Sequence, residues 1–444
     1  MGQPTRVVIV GGGFAGYQAA RSLVRALPKR GSDIEIVLLN RTDYFLYLPL
    51  LPEVAAAAVD PRRVTVSLPA TLPGVRLVLG TVDSVSLEQR QVLYTDPEGA
   101  RRTLGYDRLI LAVGSVNKLL PVPGVAEYAH GFRGVAEALY LRDHVIRQME
   151  LAAASSDVAE RDARCTFVVV GAGYTGTEIA AQGPLFTRAI AVRQRELRGQ
   201  KVRWILLDLA PKVLPELDPR LSRAADRVLR RRGVEVRMHT SVREATPEGV
   251  HLTDGEFVPT KSIVWCVGVR PDPLLQGTGL QVNRGRLVVS PTLEVPGHPE
   301  VFACGDAAAV PDLTRPGEVT GMTAQHASRQ GVLAGRNVAA SLGYGRRRPY
   351  KHHDLGFVVD LGGAQAAANP FHIPLSGWPA KAVTRAYHLM AMPGNRLRTA
   401  TDWFLDAILG RQTVQLGLVR SAAVPLDTAA PDQHVPPIGE GARK

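Results

Sequence analysis

An α/β fold with two Rossmann-like dinucleotide-binding domains and a C-terminal α+β, amphipathic-helix region is what the 444-residue sequence predicts. Three observations lead there. VIVGGGFAG at 8–16 and VVVGAGYTG at 168–176 spell one strand–glycine turn–helix pattern twice. VFACGDAA at 301–308 returns to a strand and a glycine turn long after both. The last hundred residues change character, to aromatic and apolar side chains at helical spacing. An apolar fraction of 45% with 21% charged residues belongs to a chain with a full core, and its length allows several domains.

The first element is a β-branched run, Arg6 to Val10, leading into Gly11, Gly13 and Gly16 with Phe14 and Ala15 between them. The first glycine of G-x-G-x-x-G permits the tight turn. The second lets backbone approach a pyrophosphate, and the third lets helix pack on strand. The helix N-terminus then offers its amides to phosphate charge. A second strand, Ile34 to Leu39, ends at Asn40, where an acidic residue commonly grips a ribose; Asn40 bonds without charge. Such a fingerprint suits FAD or NAD equally. The VFACGDAA segment points to FAD: it resembles flavoproteins of the two-dinucleotide-binding type, whose aspartate after the glycine bonds the ribitol chain. Gly305 and Asp306 therefore join the expected FAD contacts, with Arg41, Val82, and Ala112 and Gly114 of LILAVGS.

The second turn, Gly171, Gly173 and Gly176 with Tyr174 between them, predicts a further nucleotide domain inserted in the first. Its next strand, Val202 to Leu207, ends at Asp208, a carboxylate that accepts from a ribose diol and repels a 2′-phosphate, favouring NADH over NADPH. Lys212 is the nearest base and would soften that preference. The span from Gly176 to Asp208 exceeds the usual ~20 residues, so a long helix or an insertion is expected before the strand. Gly268 in WCVGVRP is expected near the nicotinamide. Two cradles imply one resident and one visiting dinucleotide, hence a hydride relay from NADH to non-covalent FAD.

With these residues in place the chain resembles the type II, non-proton-pumping NADH:quinone oxidoreductases. The resemblance spans nearly the whole sequence: the two glycine turns, NRTDYFLYLPLLPEVA at 40–55, PGVAEYAHGF at 123–132, AEALYLRDH at 136–144, VFACGDAA, and AQHASRQG at 324–331. Tyr47 and Leu48 stand where the family has a histidine- or phenylalanine-rich stretch and a glutamine before the proline. The resemblance implies that Ala324 and Gln325 sit beside the flavin and Gln330 nearer the quinone. It also implies that the helix opening at Ala324 turns its positive end toward charge gathered on reduced flavin. Glu178, just past the NAD turn, would act on charge or proton movement between flavin and nicotinamide; the bland alternative is a first-turn glutamate favoured by the helix dipole. Catalytic roles thus fall on Glu178, Gln325 and Gln330.

The remaining features bound the function. Cys165, Cys266 and Cys304 are widely spaced in apolar runs, with no C-x-x-C, so buried thiols are expected and no metal site. That disfavours disulfide reductases and NADH peroxidases; Cys304, beside Asp306, keeps a sulfide:quinone reductase-like enzyme among the alternatives. A soluble NAD(P)H-dependent flavin or ferredoxin-type reductase is another, and an FAD-bound redox-sensing regulator a third of a different class. The net charge of +12 is scattered, with no recognition helix, so nucleic acid is not an expected partner. Nothing reads as a secretory signal or a spanning helix. Tyr350 to Gly363 reads as a strand pair. Two helices follow, broken at Pro393 and Gly394, with Trp378, Tyr387 and Trp403 at headgroup level and Arg385, Arg396 and Arg398 toward anionic lipid. Asp402 and Asp406 interrupt the second helix. The expected organisation is 1–125 and 285–345 for FAD, 126–284 for NAD(H), and 346–444 for membrane association or dimerisation with a disordered tail. The expected setting is a peripheral homodimer on the cytoplasmic face of the cell membrane.

Overall fold

The computed structural model describes residues 4–28 and 33–426; the expected C-terminal tail lies outside them. The chain forms two compact units. The first comprises residues up to 46, 65–116 and 270–353; the second comprises 47–64, 117–269 and 354 onward.

In the first unit the continuous β-branched run Thr5–Val10 is the centre of a six-stranded sheet, buried on both faces as parallel strands with helical crossovers are. Strand order across the sheet is 294–295, 298–303, 108–111, 5–10, 34–40, 76–79. All neighbours run parallel except the first pair. The helices Phe14–Ala26 and Ala324–Ser341 lie against each other at near-backbone distance. A Cβ on Gly331 would stand 2.1 Å from the Ala15 carbonyl oxygen, and one on Gly335 2.4 Å from that of Ala19. The small residues of AQHASRQG are therefore a packing requirement.

The second unit is built the same way. Five parallel strands run in the order 129–131, 262–265, 166–170, 203–208, 234–238, with Val168, Val169 and Val170 fully buried at the centre. The stretch after Gly176 is a long helix, Tyr174–Ala191, followed by a loop holding one 3-10 turn at Arg195–Leu197. The region from 354 belongs to this unit rather than standing alone. Helix Pro219–Arg231 packs on the small sheet 358–360, 366–368, 375–376, and that sheet carries helix Gly377–Ala391.

Two expectations need correction. Tyr350 to Gly363 is not a strand pair: only Val358–Asp360 is a strand, and its partner is Ala366–Ala368. Alanine is a poor strand former by propensity. Here its small side chains let Ala380 of the following helix close over the sheet. Trp403 does not reach an outer surface. It is 3% exposed and its indole nitrogen donates to Glu53.

Candidate functional site: two glycine cradles and a buried carboxyl cluster

The two cradles match hydrogen bond for hydrogen bond. Gly11 N donates to Leu39 O and Gly171 N to Leu207 O. Gly11 and Gly171 both have positive φ, +96° and +105°, where a side chain would be strained. Each also lies against a carbonyl of the crossing strand: a Cβ would meet Ala112 O at 2.5 Å in one and Cys266 O at 2.2 Å in the other. The third glycines touch the first, since a Cβ on Gly16 or Gly176 would stand 1.7 or 1.9 Å from the Gly11 or Gly171 oxygen. The middle glycines, Gly13 and Gly173, face open space.

The residue ending the second strand closes each turn. Asn40 Oδ1 accepts from Gly12 N at 2.7 Å, and its amide donates to Thr42. Asp208 accepts from Ala172 N and, at 2.8 Å, from Ala210 N. Both positions therefore brace the loop as well as presenting a polar edge. Lys212, read as tempering Asp208, instead donates to Leu217 O at 2.7 Å. No side chain caps either cradle helix, and neither has an acidic residue in its first turn. Uncapped amides, an open middle glycine and a polar strand end are what a dinucleotide pyrophosphate and ribose require, so the residues fit FAD in the first cradle and NADH in the second.

Other residues singled out from the sequence gather at the first cradle. Gly305 has φ +70°, and a Cβ there would meet the Ala15 methyl at 2.9 Å. Its N–H donates to Gln330 Oε1 at 2.8 Å, and Gln330 Nε2 donates to Thr320 at 2.9 Å. Both ends of the buried Gln330 amide are thus engaged within the protein. It braces the Gly305 turn. Asp306 accepts from Ser115 Oγ at 2.5 Å, next to Gly114 at φ +77°. Phe14 stacks edge-on to Phe45, 5.0 Å between centroids. Gln325 is half-buried in the first turn of its helix, whose amides are partly met by the Thr323 cap on His326 N. Arg41 follows Asn40 out of its strand, and Val82 sits opposite Tyr94 in a small antiparallel sheet.

In the second unit Gly268 has φ +95° with open space where a Cβ would be, and Tyr174 lies edge-on to Phe357. Glu178 has deeper company than a first-turn glutamate. Its Oε1 accepts from Asp360 N at 2.9 Å, and burial holds its carboxyl well above the usual range, that backbone bond opposing. Asp360, 4% exposed, is bonded by Lys381 Nζ and by Gly362 N at 2.6 Å, and stays below the usual range despite burial because Lys381 is beside it. Lys381 Nζ also lies 3.9 Å from Glu53 Oε1. His388 accepts or donates at Nδ1 to Tyr47 OH at 3.1 Å, and burial pushes it down to about 4. Glu53, Asp360, Lys381, His388 and Trp403 were not legible as a group, because their positions span 53 to 403. The one local cue was a lysine inside an otherwise apolar stretch, PAKAV.

The three cysteines are free, Cys165 and Cys304 fully buried and Cys266 partly so. Burial pushes the Cys165 thiol up to about 11 and Cys304 to about 12, which leaves both inert. Among the described residues no group of metal-ligating side chains forms and no helix is long and apolar enough to cross a membrane.

Comparison with known proteins agrees with this architecture. The pyridine nucleotide-disulphide oxidoreductase family model matches residues 5–331. The type II NADH:quinone oxidoreductase NdhA of Mycobacterium tuberculosis is 32% identical, over 93% of this chain and 89% of its own length. The demethylphylloquinone reductase NdbB of Synechocystis is 27% identical, over 90% and 95%. Among solved structures, NDH2 of Plasmodium falciparum in complex with NADH shares the fold, with a TM-score of 0.83 at 16% identity, over 92% of this chain and 99% of that one. The chain belongs to the pyridine nucleotide-disulphide oxidoreductase family and, within it, to the type II NADH:quinone oxidoreductases.

Proposed function

We propose that this enzyme oxidises NADH at the second cradle and reduces a membrane quinone through FAD held in the first, without moving protons across the membrane. The observation that carries this is the duplicated cradle, with an uncharged strand end at Asn40 and a charged one at Asp208. Bound FAD supplies the chemistry that joins a two-electron donor to a quinone. The chain's own residues hold and orient. Gly11, Gly13 and Gly16 with Phe14, Ala15, Asn40, Arg41, Val82, Ala112, Gly114, Gly305, Asp306, Ala324 and Gln325 make up the FAD site. Gly171, Gly173, Tyr174, Gly176, Glu178, Asp208 and Gly268 receive NADH, and the Asp208 carboxylate disfavours the 2′-phosphate of NADPH. Inert, unpaired thiols favour this reading over disulfide or sulfide chemistry.

The enzyme sits peripherally on the cytoplasmic face of the membrane as a homodimer. Helix Arg396–Leu409 supports lipid contact because its two aspartates and Trp403 face the protein. Asp402 pairs with Arg63, Asp406 with Arg411, and Trp403 with Glu53. The large apolar residues left outward are Leu397, Phe404, Leu405, Ile408 and Leu409, with Trp378 at 74% exposure on the preceding helix. The aspartates that break the sequence's amphipathic pattern are thus anchors to the fold. Of the expected lipid-facing arginines, Arg385 lies over the Trp403 ring and Arg396 donates to Met392 O, while Arg398 is exposed.

The test is anaerobic stopped-flow on the purified flavoprotein. NADH should bleach the flavin band, and a short-chain quinone should restore it. A bleached state that quinone leaves unchanged would favour a redox sensor or another acceptor, and a colourless protein would defeat the proposal.

A further inference from the structure

One buried carboxyl takes no part in binding either dinucleotide. Glu53 is 3% exposed, and its two oxygens are treated differently. Oε2 accepts from the Trp403 indole; Oε1 accepts from no donor. The groups facing it are Asp360 from the 358–360 strand, Lys381 and Arg385 from helix 377–391, and Trp403 from helix 396–409. Glu178, from helix 174–191, adds a third carboxyl to this interior. The ammonium of Lys381 is committed to Asp360, to which it is hydrogen-bonded, and is 3.9 Å from Glu53 Oε1. Arg385 is engaged over the Trp403 ring. A second ionised carboxylate beside Asp360 would be a buried like-charge neighbour, a situation resolved by keeping a proton. An Oε1 that finds no donor becomes satisfied once it is itself the donor, and Asp360 is the acceptor at hand: a hydrogen bond from Glu53 helps hold Asp360 ionised. Burial and Asp360 together push Glu53 up to about 7, with Lys381, Trp403 and Arg385 opposing.

We propose that Glu53 holds, on Oε1 and shared with Asp360, the proton that quinone reduction draws from water. This rests on the function proposed above. Quinone takes two electrons and two protons to become quinol; NADH supplies both electrons and one proton equivalent as hydride, so one proton comes from solvent. In that step the Glu53 O–H bond breaks, the proton leaves through the Asp360–Lys381 pair, a quinol O–H bond forms, and water re-protonates Glu53. Glu53 acts through its neighbours and is a positioning residue.

The experiment uses the FAD-loaded enzyme and its infrared spectrum as pH is varied. The parent should show a protonated-carboxyl C=O band that disappears with a midpoint near neutral. Glu53→Gln, which keeps shape and the bond from Trp403, should abolish that band, whereas Glu178→Gln should leave it. Trp403→Phe removes a donor to the ionised form and should move the midpoint upward, a shift that a merely structural glutamate would not give. In stopped-flow, Glu53→Gln should slow flavin reoxidation by quinone about a hundredfold while NADH bleaching keeps its rate. In a Glu178→Gln background, which removes the other raised carboxyl, a band titrating near neutral that survives Glu53→Gln overturns the proton site; a lost band with unchanged reoxidation overturns its part in quinone reduction. If the parent itself fails to reduce quinone, the functional reading falls, and the infrared arm still judges the proton site alone.

Discussion

Replacing Phe404 and Ile408 together by serine tests the membrane-facing reading of helix 396–409. These side chains are 63 and 60% exposed, on the face opposite the Asp402, Asp406 and Trp403 contacts, so the fold loses little. Full burial of such a side chain is worth about 1.5–3 kcal/mol, so the exposed parts of the pair carry roughly 2–4 kcal/mol if lipid covers them completely. Partial coverage brings this to about 2 kcal/mol, or roughly a 30-fold loss of partitioning. The assay is co-sedimentation with vesicles containing anionic lipid, across a lipid titration, alongside thermal unfolding. Leu397, at 80% exposure, and Leu409, at 73%, keep some affinity in the variant. Unchanged partitioning with unchanged melting would refute the assignment of this face to lipid. A loss of dimer with no loss of vesicle binding would assign it to the second copy instead.

Three further outcomes follow from the geometry. Gly176→Ala forces a methyl against the Gly171 carbonyl, so it should leave the protein yellow but weaken NADH binding at least tenfold, measured by the concentration dependence of flavin bleaching; Gly16→Ala should instead yield flavin-depleted protein. Gln330→Leu leaves the Gly305 N–H and the Thr320 hydroxyl without their partner, costing about 1–3 kcal/mol; FAD should dissociate faster in gel filtration, and normal retention would count against the positioning role. His144, buried and hydrogen-bonded to Ser262, is pushed by burial down to about 3. Its folded pKa lies below the unfolded value, so its contribution is full above about pH 6.5 and is lost as pH falls, about 2 kcal/mol by pH 5. The raised carboxyls Glu53 and Glu178 have the opposite slope. The readout is therefore the melting difference between parent and His144→Asn, which should narrow from pH 7 to 5; a constant difference would contradict a neutral buried imidazole.

Short-range pattern carried the cradles. Glycines at fixed offsets after a β-branched run dictate a turn with positive φ, an uncapped helix start and a strand end 28 residues on in one cradle and 36 in the other. Each of these is a local consequence of backbone sterics, so Gly11, Asn40, Gly171 and Asp208 stand where the sequence placed them. Helices 377–391 and 396–409 were legible for the same reason, their break being written as Pro393 and Gly394. Which face of each helix turns inward was not. Hydrophobicity alone puts Trp403 toward lipid and makes Asp402 a flaw, but partners at Glu53 and Arg63 reverse both. Ala366–Ala368 is a strand only because a helix closes over it. The carboxyl cluster is the extreme case. Glu53, Glu178, Asp360 and Lys381 are unremarkable where they stand in the chain. Desolvation and the shared ammonium exist only after folding brings the four together, and those two effects decide which of them is charged.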